Sequence, residues 1–216
     1  MEMTAHSPAI AACWLVVATA VIASGDIVEH TRSPAHPAVA ELGRRLFFEP
    51  ALSADGKVAC ASCHQPEHAY ADGLARASGV AGRQGTRNAP SIVDSGRQRS
   101  LFWDGRRVRL EDQALDPLLN EVEHRLANEA ALLEKLRAAP GYPAAFAAAF
   151  DGEARAGEAI TAPHVAEALA AFERTLISMP SSFDRFLAGD LAAIPRRRGA
   201  AGSCSISRRT VRAAIS

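Results

Sequence analysis

Residues 60–64 read Cys-Ala-Ser-Cys-His, and this pentapeptide constrains the fold more than any other stretch of the 216-residue chain. One helical turn brings two thiols at that spacing to one edge of a planar ligand and sets the next histidine beneath the same plane. Thiols add across the vinyl groups of haem, and such an imidazole reaches the iron axially. The spacing therefore reads as c-type haem attachment through Cys60 and Cys63 with His64 as iron ligand. A disulfide between residues this close is locally strained. A zinc site needs two further ligands at similar spacing, and the other cysteines are Cys13, near the N-terminus, and Cys204. A thioredoxin-type use of the two thiols needs a βαβ setting, which the flanking sequence lacks.

The N-terminal segment bears on compartment. Pro8 to Gly25 carries no charge, and small residues at Ala23, Ser24 and Gly25 precede Asp26. The apolar run is at the short edge for a bilayer-spanning helix, so residues 1–25 read as a cleaved export signal, although Glu2 replaces the usual basic residues at its start. Bacterial c-type haem is attached outside the cytoplasmic membrane, so motif and leader both point to the periplasm, with no stable membrane insertion after cleavage.

The rest of the chain has the balance of a globular protein, 48% hydrophobic and 22% charged, with only 6% aromatic residues. The expected class is mostly α, a cytochrome c-like haem domain with long ordered loops. His36 to Phe48 fits a helix with Val39, Leu42, Leu46 and Phe47 on one face. Asn128 to Ala139 and Pro143 to Phe150 are two more helical segments. Thr161 reads as an N-cap, with Pro163 in the first turn and Val165, Leu169, Phe172 and Leu176 as the buried stripe. Residues 65–101 show little periodicity and read as a long functional loop.

Past Ile194 the character changes. Residues 196–216 hold six arginines and no acid; without them, the first 195 residues have 18 basic against 24 acidic residues. The expected organisation is a signal at 1–25, a haem domain over 26–194, and an aberrant basic tail at 195–216, read as disordered or frameshifted rather than as a nucleic-acid-binding arm.

Five segments resemble the N-terminal half of the bacterial dihaem cytochrome c peroxidase family, which includes the methylamine dehydrogenase maturation-type enzymes. They are Leu42 to Ser53, Cys60 to Gly73, Gly85 to Pro90, Leu101 to His124 and Ala171 to Asp190, in the family's order. The resemblance implies peroxide reduction to water at one haem, fed by a second haem and by a small cytochrome c or cupredoxin. In the maturation branch the oxidising equivalents modify a partner protein instead. No second C-x-x-C-H occurs in the sequence, so the second haem domain expected from the resemblance is taken as missing or frameshifted. A single-haem electron carrier or haem-binding module is the alternative reading, for which Met179 is the candidate sixth ligand.

Residue by residue, Glu123 falls at the position of the family's peroxide-site acid/base, where a carboxylate takes and returns the proton of O–O cleavage. The plainer account is a solvated Glu beside Glu121. Gln113 matches a distal amide that hydrogen-bonds peroxide, and Trp103 matches the relay between haems, with an ordinary core tryptophan as the competing account. Asn88 matches a residue whose carbonyl helps bind calcium; a turn asparagine is the other explanation. Val80 stands where the peroxidase branch carries an iron-capping histidine, and His68 lies too close to the motif to substitute. An apolar residue there implies an iron left five-coordinate or water-bound, open to peroxide without prior reduction. His124 replaces a common Met and is read as a surface histidine with no role.

Overall fold

The computed structural model describes residues 36–150 and 159–194; the expected signal at 1–25, Cys13, Cys204 and the tail at 195–216 lie outside them. The described residues form eight helices and no strand, with isolated bridges only in the loops. None of these helices is long and apolar enough to cross a membrane.

Two helices carry the core. α1 spans Pro37–Phe47, with proline in its first turn, where a missing N–H has no consequence. Its apolar spacing buries Val39, Leu42, Leu46 and Phe47 on one face, as expected from the sequence. α7 spans Ala162–Glu173, capped by the Thr161 hydroxyl, which accepts from the His164 N–H at 3.3 Å. Val165, Leu169 and Phe172 are buried against α1, and Phe47 and Phe172 ring centres lie 5.1 Å apart. Burying each of these large side chains contributes about 1.5–3 kcal/mol. The helices approach so closely at Gly43 that an added Cβ would lie 1.7 Å from the Ala168 carbonyl oxygen. Leu176 packs on the core from beyond the end of α7 rather than from within it.

α5 (Glu129–Ala138) and α6 (Tyr142–Ala149) close the other side of this core through Leu132, Leu136, Tyr142 and Phe146. The Asn128 side chain caps α5 by accepting from the Ala131 N–H at 2.9 Å. Both lie within a residue of their expected starts and ends. The Cys60–His64 pentapeptide begins with the single-turn α2, Cys60–Cys63, which sets both thiols on one helical turn. The Ser62 hydroxyl tightens that turn by accepting from the Ala59 N–H at 3.0 Å.

The long segment after α2 is irregular, built of single 3-10 turns at Pro66–His68, Val80–Gly82 and Ser95–Arg97. Ser91 Oγ donating to the Ala69 carbonyl at 2.6 Å folds the segment on itself, and Asp94 N–H donating to the Leu176 carbonyl at 2.8 Å ties it to the chain just beyond α7. The short helices α3 (Leu110–Ala114), α4 (Asp116–Leu119) and α8 (Ser182–Ala188) follow, and α3 packs on α7.

Candidate functional site

α1, α2, α3, α7 and the turn at residues 120–126 line one cavity. Cys60, Cys63 and His64 all line it. Both thiols are free, and burial pushes Cys60 up to about 12 and Cys63 up to about 11. Cys63 Sγ donates to the Ser78 carbonyl at 3.4 Å. His64 Nδ1 donates to the Tyr70 carbonyl at 3.0 Å, which leaves the lone pair on Nε2. Burial holds this imidazole below its ordinary pKa, so it is neutral, the form that ligates iron.

Gln113 and Glu123 line the same cavity. α3 presents Gln113, while Glu123 sits in a turn shaped by Asn120, whose Oδ1 accepts from Val122 N–H at 2.8 Å and Glu123 N–H at 3.2 Å. Burial raises the Glu123 carboxyl above the ordinary carboxylate range, the main influence on it. A loop braces the turn: Gly79 approaches so closely that an added Cβ would lie 1.9 Å from the Val122 carbonyl oxygen. Val80, next in the chain, is buried beside Glu123 but does not line the cavity.

Two wall residues were not foreseen. His124 is not a surface histidine: it is 3% exposed and lines the cavity. Its Nδ1 donates to the Leu52 carbonyl at 2.8 Å, and the Ala54 N–H donates to its own carbonyl at 2.8 Å, which draws the ring inward. Its Nε2 lies 3.9 Å from Cys60 Sγ. Glu173, the last residue of α7, is also buried in the wall, with its carboxyl pushed up to about 7 by burial. Ser95 Oγ reaches it only at 3.5 Å, and the neighbouring Arg174 pairs instead with Glu111 at 2.8 Å. Glu173 continues the stripe Val165, Leu169 at four-residue steps, so an acid on an apolar face was its signal in the sequence.

Trp103 and Asn88 lie together, but elsewhere. Trp103 Nε1 donates to the Asn88 carbonyl at 3.2 Å, and both line a separate open groove with Thr86 and Arg87. Trp103 is 59% exposed, so it is not a core tryptophan. No group of three or more His, Cys, Asp or Glu residues suited to a metal occurs among the described residues. Met179 is 86% exposed and lines neither cavity.

A family model for di-haem cytochrome c peroxidase matches residues 37–192. The methylamine utilization protein MauG of Methylorubrum extorquens is 40% identical over 170 residues, covering 78% of this chain and 47% of that protein. The cytochrome c551 peroxidase of Nitrosomonas europaea is 34% identical over 177 residues, covering 81% of this chain and 51% of that one. A crystal structure of a MauG-like protein associated with microbial copper homeostasis matches with a TM-score of 0.66 at 36% identity, over 76% of this chain and 47% of the other. The chain spans about half the length of the relatives it matches.

Proposed function

This chain belongs to the di-haem cytochrome c peroxidase family, and from that membership we propose that its cavity holds one covalent haem at which hydrogen peroxide is reduced to water. The observation that carries the reading is a convergence: two thiols, a neutral histidine, an amide and a buried carboxyl of raised pKa line one cavity. The donor set fits haem, because Cys60 and Cys63 supply the two thioether sulfurs and His64 offers an Nε2 lone pair fixed by its Nδ1 bond to Tyr70.

Bound haem supplies the redox chemistry; the chain binds and orients peroxide and moves its proton. The Gln113 amide hydrogen-bonds the incoming peroxide. The Glu123 carboxylate takes the proton from the near oxygen and delivers it to the departing one, which leaves as water. Electrons come from a small cytochrome c or cupredoxin, with Trp103 as the relay through which they reach this haem. The working compartment is the periplasm, where covalent haem attachment of this kind takes place.

A second reading has its own support. Val80 is apolar and packed against the Glu123 turn, so it offers no cap for the iron. Such an open site also suits oxidation of a partner protein, the activity of the maturation branch.

Glu123→Gln in the haem-loaded protein tests the assignment. Peroxide consumption falls by about 10²–10⁴-fold while haem content and the resting spectrum stay unchanged. Unchanged peroxide kinetics would remove Glu123 from the mechanism.

A further inference from the structure

The two cysteines of the motif meet different partners. Cys63 Sγ donates to the Ser78 carbonyl at 3.4 Å, an oxygen that accepts a hydrogen bond but cannot take the proton. Cys60 Sγ lies 3.9 Å from His124 Nε2, within reach of a thiol-to-nitrogen hydrogen bond. The His124 tautomer is fixed: its Nδ1–H is committed to the Leu52 carbonyl at 2.8 Å, so Nε2 carries the lone pair that meets the thiol. The imidazole is 3% exposed, and bulk base is excluded from it.

We propose that His124 is the proton acceptor for Cys60 when that thiol is joined to haem. The inference rests on the haem reading of the cavity and adds a residue to it. In the step, the Cys60 S–H bond breaks and its proton passes to His124 Nε2 while sulfur bonds to the ring-proximal carbon of a vinyl group. A proton then passes from His124 to the outer vinyl carbon, which becomes a methyl group. The addition is redox-neutral and needs no further reactant. The thiolate is the nucleophile, and a thiol raised to about 12 by burial is poorly ionised without a base beside it. Burial also keeps His124 neutral and ready to accept, while the Asp55 charge favours the transient imidazolium.

The asymmetry supplies the test. Purified apoprotein is mixed with ferrous haem without oxygen, and covalent haem is followed by mass spectrometry after denaturation. With Cys63→Ala, only Cys60 couples, and adding His124→Met slows that coupling at least tenfold. With Cys60→Ala, only Cys63 couples, and His124→Met leaves its rate unchanged. Equal rates with and without His124 in the Cys63→Ala protein would overturn the proposal while leaving the haem site intact. Slowing in both backgrounds would also overturn it, marking His124 as structural. Failure of either cysteine to couple in any variant would overturn the haem reading itself.

Discussion

Val80 and Glu123 are joined through their backbones: the Val80 N–H donates to the Glu123 carbonyl at 2.9 Å and to that of Val122 at 3.0 Å. Val80 thus braces the turn that carries the cavity's carboxyl. Gly79 makes this approach possible, since a side chain there would occupy the space of the Val122 carbonyl. Gly79→Ala is expected to lower stability by about 1–3 kcal/mol, as overpacking does. It also displaces Glu123, which urea melts and peroxide kinetics on one preparation would read together.

Glu123 has a pH signature. Its carboxyl is raised by burial, and it must be ionised to take the peroxide proton. Peroxide reactivity of the haem-loaded protein therefore rises with pH through an inflection above the ordinary carboxylate range. That inflection vanishes in Glu123→Gln. A wild-type inflection at or below the range of an exposed carboxylate would contradict the burial of this group.

Glu173 gives a stability signature instead. Its carboxyl is raised from 4.5 to about 7 in the fold, so the native state holds the proton more tightly than the unfolded chain. Its contribution is fully present below about pH 4.5 and is lost as pH rises through about 7. The loss is on the order of 3 kcal/mol. Denaturant midpoints between those limits should fall with pH in the wild type and fall less in Glu173→Gln. Parallel profiles would show that the carboxyl is not held protonated.

Trp103 separates function from stability. Its ring is 59% exposed, and its one hydrogen bond is to the Asn88 carbonyl. Trp103→Phe is therefore expected to change stability by less than about 0.5 kcal/mol. Haem content stays constant while electron delivery from a reduced donor slows. Stopped-flow reduction compared with a thermal melt checks both halves.

The parts legible in the sequence are those where periodicity meets a cap. α1 and α7 follow from apolar spacing, Pro37 and Thr161. The pentapeptide at residues 60–64 placed three cavity residues at once. His124 was misread because Asn120–Leu126 is an irregular turn, where no period tells which side chain faces inward. Its burial follows from hydrogen bonds to Leu52 and Ala54, seventy residues away in sequence. α8 was missed as a helix because it is only seven residues long, although Ser181 and Asp184 form a reciprocal cap at its start. The separation of Trp103 from the cavity was equally hidden, since loop paths depend on contacts such as its bond to Asn88.

The central claim is that Cys60 and Cys63 hold one haem in this cavity. The most direct measurement is the mass of the denatured chain purified from cells that attach c-type haem. The account predicts a gain of one haem that survives acid extraction and is lost in the Cys60→Ala, Cys63→Ala double variant. A wild-type chain of unmodified mass, or one whose haem extracts freely, would contradict it.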